Sequence, residues 1–226
     1  MTWEERSAVL EQFNGTARLF PLPNLVLFPH VEQGLHIFED RYRQMAADAL
    51  EGDRLIAMVL LKPDWEFDYD SQPAIEAVGC LGLIQECELL PDGRYNLLLH
   101  GVCRIKIDSE LPLLDGQLYR TGVGTLVEDT PCKNVLAEVE LRSGFRNTVE
   151  QKYRNSATAL ERLRQLFESP LSLGQLADQL AYLLPLPLEL KQRLLVEHSP
   201  ALRVALIQSH LHTPRRAQFP PPFSQN

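Results

Sequence analysis

Near Pro131 the apolar pattern of this chain changes period, and that change limits the possible folds more than any single motif does. Residues 17–130 read as short apolar runs separated by turn chemistry, the mark of a β-rich unit. Residues 131–212 read as apolar stripes at helical spacing, and several short amphipathic helices with little else pack as a bundle. Residues 1–16 form an N-terminal extension. Residues 213–226, with Pro214, Pro220, Pro221 and Pro222, form a loosely held Pro-rich tail.

Within the first part, Leu25–Phe28, ending at Pro29, and Leu55–Leu61, ending before Pro63, have strand length and β-branched content. Between them Asp40 is the expected N-cap of a helix that carries Tyr42, Met45, Ala46, Ala49 and Leu50 and stops at Gly52. Pro91-Asp92-Gly93 supplies the turn of a hairpin spanning Ala77 to Asp108. In its second arm Val102, Arg104 and Lys106 alternate with Cys103, Ile105 and Ile107, so one face is expected to be wet. Gly116 to Val127 is the last expected strand.

The second part opens with a helix from about Lys133 to Gln151 or beyond, in which Gly144 costs about 1 kcal/mol relative to Ala and marks a place to kink. Tyr153, Ala157, Leu160, Leu163 and Phe167 continue a helical stripe. Ser172 and Gln175 make a capping box ahead of Leu173, Leu176, Ala177, Leu180 and Leu184. Pro187 fits position N1 ahead of Leu190, Leu194 and Leu195, and Ser199-Pro200 starts a helix with Leu202, Ala205, Leu206 and Leu211 on its apolar side.

Charge and cysteine usage exclude several functions. The net charge of −8 divides into −12 up to Thr130 and +4 from Pro131 onward. Nucleic-acid affinity rests on Lys and Arg neutralising phosphates, so the acidic first part argues against such a partner. The first residues lead with acid and no apolar signal segment follows, and no apolar run approaches the ~20 residues that span a bilayer, so a cytoplasmic protein without membrane attachment is expected. Cys80, Cys87, Cys103 and Cys132 include no C-x-x-C pair, and the first three, in apolar segments, are expected to be reduced and buried.

The ordered motifs resemble one family. Leu19-Phe20-Pro21-Leu22-Pro23-Asn24-Leu25-Val26-Leu27-Phe28-Pro29, followed by Leu35-His36-Ile37-Phe38-Glu39-Asp40-Arg41-Tyr42, resembles the opening of the N-terminal domain of the Lon protease family. Gly34 stands where that motif commonly carries proline. Asp92-Gly93-Arg94-Tyr95, Gly101 and Arg104-x-x-Ile107 are similar to the family's second hairpin. Leu176-Ala177-Asp178, Leu188–Leu195 and Leu202–Leu206 resemble its helical series, with Ser199 where an acidic residue is usual. The resemblance covers roughly residues 17 to 212. It implies an α+β fold, a PUA-like β-barrel followed by a helical bundle, in a stand-alone member without ATPase or protease domains. In full-length Lon this module helps hold unfolded protein ahead of an ATPase and a Ser-Lys protease, and cereblon, a ubiquitin-ligase adaptor, carries a related domain.

The residues themselves carry no enzyme signature. There is no G-x-x-x-x-G-K-[ST] loop to cradle phosphates, no H-E-x-x-H for zinc and no G-x-S-x-G for an acyl-transfer nucleophile. No catalytic residue, cofactor or metal site is expected. The expected role is non-catalytic capture of unfolded or apolar polypeptide segments. The alternatives are an adaptor docking on one protease or ligase, and a small-molecule or enzymatic role using His36 or His100. In Asp64-Trp65-Glu66-Phe67-Asp68-Tyr69-Asp70, acids and aromatics alternate, so an extended chain projects Trp65, Phe67 and Tyr69 to one side as candidate polypeptide contacts.

Overall fold

The computed structural model describes residues 3–68, 72–130 and 134–213. Its elements are α1 (Trp3–Gln12), β1 (Thr16–Leu22), β2 (Glu32–Ile37), α2 (Asp40–Glu51), β3 (Leu55–Leu60), β4 (Val78–Leu89), β5 (Tyr95–Leu111), β6 (Thr121–Val127), α3 (Val135–Tyr153), α4 (Ala157–Glu168), α5 (Leu173–Leu183), α6 (Leu188–Val196) and α7 (Pro200–His212). The fold is α+β, a sheet followed by helices.

The six strands run in the order β2-β5-β4-β3-β1-β6, and β6 pairs with β5 as well as β1, so five strands form a closed pairing circuit. All pairings are antiparallel except β1 with β3, where Leu19 faces Ala57 and Leu22 faces Leu60. β2 and α2 supply the crossover that a parallel pair requires. β5 is long enough to serve two partners: residues 95–100 pair with β2, and 104–111 with β6. Register shifts at Leu81/Gly82 and Ile84/Glu86 mark bulges where the hairpin leaves the circuit, as bulges bend the strands that carry them.

Both faces of β3 are buried, which explains its unbroken apolar run. Leu55, Ala57 and Val59 join Leu19, Leu81, Ile105 and Ile107 in an inner core, where Val9 and Phe13 of the N-terminal residues also pack. Ile56, Met58 and Leu60 point the other way, into a larger core shared with α2 and the C-terminal helices.

Several local expectations change. Leu25–Phe28 is an irregular buried segment, and the strand is Thr16–Leu22. Phe28 lies so close to β5 that a side chain at Gly101 would collide with its carbonyl, and Gly101 bonds on both sides to His30 and Val31. The α2 helix begins as expected but with Glu39 at the N-cap, and it buries Tyr42, Met45, Ala46 and Ala49. The residues from Gly116 to Arg120 precede β6 rather than belonging to it. Asn134 caps α3, which runs through Gly144, and α4 is a separate helix. The capping box at Ser172 and Gln175 forms, as does the Ser199-Pro200 start, whereas Pro187 is the N-cap of α6, one position before N1. Cys80 and Cys103 are buried, Cys87 is exposed, and Cys132 lies outside the described residues.

The largest departure is on β5, where the face expected to be wet is dry: Val102 and Arg104 are buried, and only Lys106 reaches solvent. Arg104 meets the helices. It donates to the Leu195 carbonyl at 2.8 Å, to both carboxylate oxygens of Asp178 on α5 at 2.6 and 3.1 Å, and to Asp129 at 3.2 Å. Arg203 of α7, fully buried, donates to the two Asp129 oxygens at 2.7 and 2.5 Å and to the carbonyls of Glu197 and Gly174. Two cations and two anions thus join strand, linker and two helices. Asp178→Ala leaves two buried guanidiniums one carboxylate short, and should lower unfolding free energy by about 3–5 kcal/mol, read by urea denaturation.

Candidate functional site

A groove of about 930 Å³ opens where the end of β3 and the following loop meet α6 and α7. Leu61, Pro63 and Trp65 form one wall, and Leu188, Val196, Leu202 and Leu206 the other. Acidic and basic side chains, Glu76, Glu189 and Glu197 with Lys62 and Arg193, line it too. Leu202 is 54% exposed and Val196 42%, so this apolar surface meets water. An apolar cleft with a few charged groups suits an apolar ligand segment.

The groove exists because of how α7 is turned. Its buried residues are Pro200, Arg203, Val204, Ile207 and Leu211, not the expected Leu202, Ala205 and Leu206. Arg203 takes an inward position to reach Asp129. Leu202, about 100° away on the helix, then falls outside the core, and Leu206 stays only partly buried. Sequence reasoning missed this since an arginine does not count toward an apolar stripe. The signal was Val204, Ile207 and Leu211 at helical spacing beside the expected stripe.

Of the expected contacts, Trp65 is half-buried and lines the groove, Phe67 is 86% exposed, and Tyr69 lies outside the described residues. Trp65–Asp68 forms one 3-10 turn, so the extended arrangement with aromatics on a single side does not occur. At three residues per turn, Trp65 and Phe67 point in different directions.

A second, more polar recess of about 480 Å³ lies beside the ion cluster, lined by Arg6, His30, Cys103, Arg104, Glu128 and Asp129 among others. Its charges are turned on one another. Arg6 donates to the Val102 carbonyl at 3.0 Å and pairs with Glu128 at 3.5 Å, while Arg104 and Asp129 belong to the buried cluster. Burial alone would raise the Asp129 carboxyl, but its Arg203 hydrogen bonds and both guanidinium charges hold it below the usual range. Burial raises the Cys103 thiol, which disfavours the nucleophilic thiolate.

Neither histidine proposed from sequence lines either recess. His36 is exposed and bonds through Nδ1 to Asn96 at 2.9 Å. His100 is buried, its Nδ1 3.7 Å from a Glu32 oxygen, and burial lowers its pKa. No group of three or more metal-ligating side chains occurs among the described residues, and no helix among them is long and apolar enough to cross a membrane.

This α+β fold, a sheet followed by helices, is shared with known proteins. The family model for the ATP-dependent protease La (LON) substrate-binding domain matches residues 16–213, and the chain belongs to that family. It is 28% identical over 177 residues to Lon protease of Xanthomonas oryzae pv. oryzae and 27% over 179 residues to Lon protease 1 of Thermus thermophilus, in each case over 78% of this chain. Those alignments cover only 20% and 22% of the relatives, so the chain spans about a fifth of their length. The crystal structure of a Lon N-terminal domain protein from Xanthomonas campestris superposes with a TM-score of 0.61 at 25% identity, covering 86% of this chain and 97% of that one. The N-terminal domain of Mycobacterium avium complex Lon protease has the same fold, with a TM-score of 0.65 at 14% identity over 88% of this chain and all of that one.

His30 makes the recess pH-sensitive. Burial first, then the charges of Arg6, of His100 when it is protonated, and of Arg104, lower its pKa from 6.5 to about 4. Since the folded value lies below the unfolded one, the unfolded chain takes up the proton first as pH falls. The stability from keeping His30 neutral is complete above pH 6.5 and is lost toward pH 4, by on the order of 3 kcal/mol. His30 has φ of 64°, a left-handed conformation that Asn tolerates. His30→Asn should therefore flatten this part of the pH dependence, as measured by urea unfolding of both proteins across that interval.

Proposed function

We propose that this chain is a non-catalytic module that captures unfolded or apolar segments of other polypeptides in the groove between β3 and helices α6 and α7. Membership of the LON substrate-binding family supports a polypeptide ligand. The observation that carries the location is the exposed apolar wall of Leu202 and Val196 facing Trp65. Trp65 and Phe67 remain proposed contacts, Trp65 in the groove and Phe67 on the adjoining turn, with Tyr69 beside them in sequence. In this reading the strand circuit is the PUA-like barrel, residues 17–130 and 131–212 are the two subdomains, and the protein works in the cytoplasm without nucleic acid, membrane or cofactor.

Apolar burial provides the affinity. Covering a few large side chains contributes about 25 cal/mol per Å² removed from water, less the cost of ordering the client, which suits reversible holding. Selection is then by the apolar content of the client and not by one defined sequence, as a holding module requires, whereas an adaptor for one partner would show a defined stoichiometry.

Leu202→Glu puts a charge into the groove at a residue outside the core, so the fold should persist by circular dichroism. Retention of reduced, carboxymethylated α-lactalbumin in a pull-down should fall about tenfold, the equivalent of one lost apolar anchor. Undiminished retention would remove the groove from the proposal. ATP or casein turnover by the pure protein would overturn the non-catalytic reading.

A further inference from the structure

The closed circuit leaves one strand at an open end. β1, β3, β4, β5 and β6 each have neighbours on both sides over part or all of their length, whereas among the described residues β2 pairs as a strand with β5 alone, and α5 reaches it through the Tyr182 hydroxyl, which donates to the Gln33 side chain and not to the outer main chain. Its register with β5 is continuous from Glu32↔His100 to Ile37↔Tyr95.

The direction of each main-chain group on β2 follows from one bond. The Val31 carbonyl accepts from the Gly101 N–H at 2.8 Å, so residue 31 turns toward β5. Alternation along the strand sends 33, 35 and 37 the same way, and turns the N–H and C=O of Glu32, Gly34 and His36 outward. The Gly34 carbonyl is met by the amide of its neighbour Gln33 at 2.6 Å, an acceptor satisfied by a local placeholder. A side chain built on Gly34 meets nothing within 4 Å. Glu32, Gly34 and His36 are all exposed.

Natural edge strands are usually blunted by lysine, proline, bulges or a covering element. β2 has no lysine, proline or register shift. Phe38, 59% exposed, follows it and stacks on His36 with ring centroids 6.3 Å apart, which places an apolar shelf beside the open edge. Glu32 stands at the other end with its side chain 57% exposed.

We propose that the outer edge of β2 is a strand-addition site, where an extended stretch of unfolded polypeptide pairs with the main chain of Glu32, Gly34 and His36. The occupant carries an apolar side chain over Phe38 and a basic one toward Glu32. Main-chain pairing is nearly indifferent to sequence, so such an edge holds many clients, and the flanking groups bias the choice. The site is separate from the groove and rests on the reading that this chain's ligand is polypeptide.

The test is amide hydrogen exchange by NMR on the full 226-residue chain, with reduced, carboxymethylated α-lactalbumin as probe. Binding should slow exchange at the amides of Glu32, Gly34 and His36 about tenfold or more, while Gln33, Leu35 and Ile37, already paired to β5, change little. Two variants block the edge from outside. Gly34→Pro, the residue the resembling motif commonly carries, removes an outward N–H, and Gly34→Lys adds a charge in open space. Each should weaken probe binding about tenfold without changing the melting temperature by more than a few degrees. Probe binding that persists in both variants, without slowing of the outward amides in the wild-type chain, overturns the proposal and leaves the groove reading intact. Absence of any probe binding by the wild-type chain overturns both. Slowing of these amides with rising protein concentration and no probe assigns the edge to a second copy of the chain, which also overturns it.

Discussion

Arg104 and Arg203, with Asp129 and Asp178, are the interaction on which the arrangement of this molecule depends. Apolar contact between the sheet and the helices supplies most of the attraction, but it is non-directional and tolerates sliding. Guanidinium forks bind carboxylates in a fixed plane. Arg104 on β5 holds Asp178 through two oxygens, and Arg203 on α7 does the same with Asp129 in the segment after β6. Their carbonyl contacts extend the network to Leu195, Glu197 and Gly174. The four charges cancel, and the desolvation of each is offset only while the others stay in place. The cluster therefore contributes little net attraction and much geometry.

That geometry decides which apolar residues are left at the surface. With Arg203 turned inward, the adjacent Leu202 cannot be in the core, and Leu206, one turn further, lies along the same partly exposed side. On α6, Gln192 is drawn inward to donate to the Val78 carbonyl at 2.8 Å, and Val196, the last residue of the helix, is 42% exposed. On α7 an arginine occupies a core position, and the leucine beside it is displaced outward to the groove that Trp65 lines. The inversion removes apolar area from the core and places it on one wall of the groove.

The broad architecture was legible in the sequence because it depends on periodicity. The change of pattern near Pro131, the Pro91-Asp92-Gly93 hairpin, the α2 helix with its stop at Gly52 and the Ser172 capping box are local signals with local causes. Two kinds of feature were not legible. One is pairing at a distance: Arg104 and Asp178 are 74 residues apart, and nothing near Arg104 distinguishes a buried arginine from one on a wet strand face. The other is backbone irregularity: Leu25–Phe28 has strand composition but lies between prolines, against Gly101, without joining a ladder. The candidate aromatics fell between the two. Their composition drew attention to a segment that adjoins the candidate groove, yet the 3-10 turn at Trp65–Asp68 brings Trp65, and not Phe67, to its lining.

A module that holds unfolded chains faces conflicting requirements, because affinity from apolar pockets alone selects sequences and affinity from main-chain bonds alone ignores them. In the functions proposed for them, the groove and the open edge of β2 divide these requirements. The groove offers apolar area between rim charges of both signs, so it responds to a client's side chains. The β2 edge offers three outward pairs of backbone groups, so as proposed it would respond to a client's being extended and unpaired, which is what distinguishes an unfolded segment from a folded surface. A folded protein has few free strand-length edges, because natural sheets protect them. Two weak contacts on one rigid body, bridged by a flexible client, act at an effective concentration set by the client's own length, so short folded loops gain nothing from the second site and long unfolded stretches gain the most.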